Sequence, residues 1–198
     1  MFLHQDLLHI STKEAFLRMK SVLFVPESFY FCIAEHPDLT CPFWIVVTFC
    51  LLAAVAKWNG AVLEVVRFVF RLLLVLYLYI VCFPVAIGVF YQRVRGQRVA
   101  FVKRDTLLMI CCLGYSFLFG CLFCMLMLAA LAVGIVEEVQ GILLMVFLWQ
   151  MCAFLWKTVG MLSFSTFPVV DADANVKLAI ATIGGGVALT VAFVNAVF

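Results

Sequence analysis

The chain has 198 residues, of which 67% are apolar and 12% charged, with a formal net charge of +2. A soluble domain of this size cannot bury so much hydrocarbon, so the composition predicts an integral membrane protein. Nor does the small positive balance point to nucleic acid: Lys and Arg stand at hinges between apolar runs, not in a stripe with interleaved aromatics.

The amino-terminal residues carry both charge signs and all three histidines, His4, His9 and His36, which show no metal-ligand spacing. Ser11 precedes Glu14 by three residues, the spacing of a capping box. Ala15, Phe16, Met19 and Val22 follow at roughly helical spacing, with Lys13, Arg18 and Lys20 mostly off that face. The stretch is either a short amphipathic helix on the membrane surface or a poorly ordered tail. Val22-Leu23-Phe24-Val25 is cut by Pro26 and Glu27, too short for a secretory h-region, so the first span is expected to insert uncleaved.

The chain enters the apolar phase at His36-Pro37-Asp38-Leu39-Thr40-Cys41-Pro42-Phe43-Trp44-Ile45. Thr40 is placed to cap a helix, and Asp38 has the charge sign that a helix amino terminus favours. Pro42 falls in the first turn, where its missing N–H is harmless, and Phe43 and Trp44 suit headgroup depth. A first span is predicted from Pro42 to Ala56. After the turn signal Asn59-Gly60, Glu64, Arg67 and Arg71 share a helix face, either as a Glu64–Arg67 pair with snorkelling arginines or as a buried charged site. The second span is predicted from Leu72 to Tyr91, kinked at Pro84.

Gln92-Arg93-Val94-Arg95-Gly96-Gln97-Arg98, with Lys103 and Arg104, is the densest positive cluster, and the positive-inside rule makes it cytosolic. A third span is expected from Thr106 to Ala130, in which Ser116 and Gly120 permit close helix approach. Glu137-Glu138 marks a luminal hinge. The fourth span is predicted from Val139 to Trp156, a polar hinge from Gly160 to Lys177, and a fifth span from Leu178 to Phe198. In that last span Ala181/Gly185 and Gly184/Ala188 form small-residue faces, for packing within the bundle or for a homodimer seam. The fold class is therefore all-α: residues 1–40 form a short cytosolic tail, and residues 41–198 a bundle of five transmembrane helices whose carboxyl terminus is luminal.

Chemistry has little material here. No Gly-x-Ser-x-Gly, His-Glu-x-x-His or nucleotide loop occurs, and no His lies within a span. Most cysteines lie in apolar runs, where a thiol acts as a small hydrophobe. Cys121-x-x-Cys124 lacks a second ligand pair and a basic partner, so no metal, cofactor or catalytic residue is expected. The absence of midplane ionisable residues after Arg71 disfavours a simple transporter. A trafficking scaffold, a membrane subunit of a larger complex, and a channel or transporter stay open, the first two favoured.

Pro37-Asp38-Leu39, two residues, then Pro42-Phe43-Trp44-Ile45 resembles the Pro-Asp-Leu-Tyr-Gly-Pro-Phe-Trp-Ile signature of the Yip family of Golgi membrane proteins, with Thr40 and Cys41 in place of Tyr-Gly. Ile110-Cys111-Cys112-Leu113-Gly114-Tyr115-Ser116 is similar to the family's third-span Gly-Tyr element, and Asn175 to Thr182 to its run in the last span. The resemblance implies five spans with a cytosolic amino terminus and residence in Golgi or ER–Golgi membranes. It also implies a non-enzymatic part in vesicle-mediated transport, association with Rab-type small GTPases, and homo- or hetero-oligomers with other family members. Asp38, Leu39, Pro42, Gly114 and Tyr115 are the signature residues it carries over. From charge, Arg93, Arg95 and Arg98 are the expected contact for cytosolic partners.

Overall fold

A computed structural model describes residues 11–24, 26–58, 60–86, 89, 99–166 and 172–197, and the described residues form helices and short connections without strands. Seven α-helices follow in order: α1 (Thr12–Phe24), α2 (Pro26–Glu35), α3 (Thr40–Ala56), α4 (Val62–Tyr77), α5 (Val99–Val133), α6 (Val136–Thr166) and α7 (Ala172–Val197). α4 runs on through a π-helical turn, Leu78–Cys82, and continues to Ala86. Val62–Ala86, Thr106–Val133 and Val136–Thr158 are long and apolar enough to cross a membrane, while Thr40–Ala56 and Ile180–Asn195 are apolar but shorter.

Local chemistry sets the helix ends. Ser11 Oγ accepts the Glu14 backbone N–H at 3.2 Å and opens α1. Pro26 is the first residue of α2, where a fixed φ and a missing N–H suit the first turn. The sequence reading took Pro26 only as a break in an apolar patch, so a second helix in the tail is new. Gly60 (φ +87°) and Gly134 (φ +81°) hold the left-handed conformation that turns the chain before α4 and after α5. Ile135 N–H reaches back to the Ala130 carbonyl and Gly134 N–H to that of Leu131, closing α5. The turn thus lies at Gly134-Ile135, ahead of the expected hinge, and Glu137 and Glu138 instead occupy the first turn of α6, where the helix dipole favours them.

Helices also extend beyond the predicted spans. α4 begins at Val62, so Glu64, Arg67 and Arg71 are helical and exposed, not gathered into a buried site. α6 continues past Lys157 to Thr166, into the stretch expected to be a hinge, because neither Lys157 nor Gly160 stops a helix by itself. The π turn precedes Pro84, whose ring cannot accommodate the ordinary i−4 carbonyl. Phe83 N–H bonds instead to Leu78, five residues back.

α5 is the axis of the bundle. Cys111, Cys112, Leu113, Tyr115, Cys124 and Met127 along it are fully buried. α3 runs parallel to it, since Asp38 meets Cys111, Pro42 meets Gly114 and Phe49 meets Gly120. α6 runs antiparallel, with Phe119 against Phe154 and Phe123 against Phe147. α7 packs on α6 through Gly186 and Thr190. Outward faces remain strongly apolar, as Phe70, Ile142, Met145 and Trp149 illustrate.

Candidate functional site

The most distinctive polar feature is buried where α1, α3 and α5 meet. Asp38 lies just ahead of α3, and its Oδ1 accepts the Cys41 backbone N–H at 2.9 Å. The carboxylate therefore caps the first turn of α3, with Thr40 as the first helical residue and not the cap. Asp38 Oδ2 accepts from Arg18 Nη1 at 2.6 Å and from the Tyr115 hydroxyl at 2.9 Å. The Asp38 carbonyl accepts the Cys111 thiol at 3.0 Å.

Arg18 completes the cluster from α1. Its Nη1 also donates to the His36 carbonyl at 2.8 Å, and Nη2 donates to Glu14 Oε1 at 2.6 Å, one helical turn away. Arg18 and Asp38 are only 3% and 2% exposed, so each needs the other: an isolated charge at such a place is strongly disfavoured. Burial works to lower the Arg18 pKa, but the hydrogen bond to Glu14 and the field of Asp38 outweigh it and hold it above its ordinary value. Arg18 Nε is buried without a hydrogen-bond partner.

Apolar contacts frame these polar ones. Phe29 of α2 meets the Tyr115 ring edge-on at 4.7 Å and Phe154 of α6 at 5.4 Å. At Gly114, a Cβ would stand 2.5 Å from the Pro42 Cβ, closer than real carbons approach. Gly114 is thus what lets α3 lie against α5, and that approach brings Asp38 within reach of Tyr115. Leu39 packs partly buried on the same core.

Of the sequence-derived site residues, Asp38, Leu39, Pro42, Gly114 and Tyr115 come together in one place although two of them are 77 positions apart. Arg93, Arg95 and Arg98 lie outside the described residues. Arg18 was placed mostly off the apolar face, yet it is buried. Its spacing carried the signal: Ala15, Arg18, Met19 and Val22 form one i, i+3, i+4, i+7 stripe, and Glu14–Arg18 is an i, i+4 ion pair.

The cluster ties three helices together: one carboxylate is neutralised by a guanidinium, bonded by a phenol and turned onto a helix amino terminus. Among the described residues no group of three or more His, Cys, Asp or Glu is arranged to hold a metal. Cys121 of the Cys-x-x-Cys pair is buried, its thiol directed at the Ile45 carbonyl at 3.5 Å. Comparison of the chain with protein-family models, curated proteins and solved structures gives no match.

Proposed function

We propose that this protein is a non-enzymatic, multi-pass scaffold of Golgi or ER–Golgi membranes, of the Yip type, acting in vesicle-mediated transport. Its five spans are α3, the long α4 helix with its extension, α5, α6 and α7. The amino-terminal tail and the Arg-rich stretch from Arg93 to Arg98, with the start of α5 that carries Lys103 and Arg104, are cytosolic and the carboxyl terminus is luminal. The cytosolic surface receives Rab-type small GTPases, and further copies or related Yip-type chains associate within the membrane.

The observation that carries this reading is the convergence of the two motif stretches. Asp38 with Pro42, and Gly114 with Tyr115, are the positions at which the sequence resembles the Yip signature, and they pack directly on each other. A chance likeness in two separate apolar stretches gives no reason for such a contact. The parallel α3 and α5 and the antiparallel α6 also run as successive membrane crossings require.

The hinge arginines provide the test. Converting Arg93, Arg95 and Arg98 together to Glu should leave insertion mostly intact and reduce the GTPases recovered in a pull-down from solubilised membranes. Recovery of the same partners in the same amounts would remove the hinge from the proposal. Recovery of the subunits of one fixed complex, with no GTPase, would replace the scaffold reading.

A further inference from the structure

The Arg18–Asp38–Tyr115 cluster uses one face of α1 and leaves the other uncovered. Arg18 and Val22 are buried, and Ala15 and Met19 pack on the core beside them. On the opposite face, Phe16, Leu17 and Phe24 are 65%, 52% and 73% exposed, and Lys13 and Lys20 are exposed among them. Glu14, the acid of this helix, is turned to Arg18, so the outer face carries two positive charges and a large apolar area.

The level of α1 in the bundle says what covers that face. The apolar stretch Thr106–Val133 has 28 residues. At about 1.5 Å per residue it is roughly 42 Å long, more than the hydrocarbon core of about 30 Å. α3 has 17 residues and spans only about 25 Å. Because Pro42, the third residue of α3, sits against Gly114, the first turn of α3 lies about 12 Å along that stretch. α1 and α2 reach α5 at this same level, through Arg18 on the Asp38 carboxylate that Tyr115 also bonds and through Phe29 on the Tyr115 ring. The α1–α2 pair thus occupies the depth where the hydrocarbon phase gives way to headgroups.

We infer that the outer face of α1 is a lipid-binding surface, lying on the membrane in which the bundle sits. Phe16, Leu17 and Phe24 enter the acyl boundary, and Lys13 and Lys20 meet anionic lipid headgroups. Each basic residue near such a surface adds attraction for acidic lipid, and the apolar side chains supply the insertion. This goes beyond the scaffold reading and rests only on its membrane-embedded part, whichever cytosolic partner binds.

The test uses the full chain, reconstituted into phosphatidylcholine vesicles with or without phosphatidylserine. A dansyl-bearing amino acid in place of Leu17 reports on the outer face without entering the core. Its emission should be blue-shifted and quenched by lipids carrying a shallow nitroxide, more strongly with phosphatidylserine present. Lys13→Glu combined with Lys20→Glu should remove that dependence on phosphatidylserine. Free quenching by aqueous iodide with no effect of nitroxide lipid would overturn the inference. Shielding from both quenchers would overturn it too, by showing that protein covers the face. Co-reconstitution reports insertion separately, so failure here would leave the multi-span reading standing.

Discussion

Asp38 illustrates how much one buried carboxylate can organise. It caps α3 with one oxygen, receives Arg18 and Tyr115 on the other, and takes the Cys111 thiol on its backbone carbonyl. Asp38→Asn keeps the size and removes the charge, leaving Arg18 buried with Glu14, which is half exposed. Breaking a buried pair from one side costs about 3–5 kcal/mol, so the purified protein should melt well below wild type in detergent. An unchanged midpoint would mean that the carboxylate does not hold these helices. The raised Arg18 pKa has a definite sign: its stabilising contribution is complete below the unfolded-state value and lost only as pH rises through the folded-state one, in strong alkali. Two glycines give a matched comparison at the same scale. Gly114→Ala forces a carbon against Pro42 and should cost about 1–3 kcal/mol or more. Gly184→Ala meets nothing within 4 Å and should be neutral, or stabilising by up to about 1 kcal/mol through helix propensity. Equal melting temperatures for the two variants would contradict the α3–α5 contact.

Among the elements, the altered helical turn before Pro84 has a structural consequence of its own. It holds Tyr79, whose hydroxyl donates to the Thr182 carbonyl of α7 at 2.8 Å, while the ring lies on Gly185 and Gly186. A Cβ at Gly186 would stand 2.8 Å from that hydroxyl, so at least part of the triple-glycine run serves contact inside the bundle. Tyr79→Phe should destabilise by about 0.5–1.5 kcal/mol, the net value of one such bond. A melt indistinguishable from wild type would show that water or another group replaces it. The α1–α2 pair shows the limits of local patterning. Period and capping signals offered α1 as one of two readings beside a poorly ordered tail, but a two-sided helix has one face on the bundle and one outside. No local rule says which apolar residues take which role: Phe16 was grouped with Ala15, Met19 and Val22, and it lies exposed while they pack inward.

For the whole molecule, the orientation is the feature that other assignments depend on. Sealed vesicles carrying the protein with the cytosolic face outward should lose an amino-terminal tag to added protease and keep a carboxyl-terminal one. Loss of both tags would require an even number of crossings and would move the carboxyl terminus to the cytosol. Hydropathy placed the apolar helices near their observed positions, because apolar length is a one-dimensional property of the chain. Helix ends moved where a glycine turn or a continuing helix outranked a charge, as at Gly134 and Lys157. Gly114 and Tyr115 were named from the resemblance, and their contact with Pro42 and Asp38 is a fact of the tertiary structure. The burial of Arg18 was not legible, although its spacing sets it on the inward stripe, and the reason is physical. A lone arginine beside an apolar stripe is ordinarily placed in water. Its burial becomes favourable only when Asp38, 20 residues on, is folded against it, and Tyr115, 77 residues beyond that, holds the carboxylate in place. Spacing along the chain reports on each helix alone, whereas the compensation of one buried charge by another exists only once three helices have met.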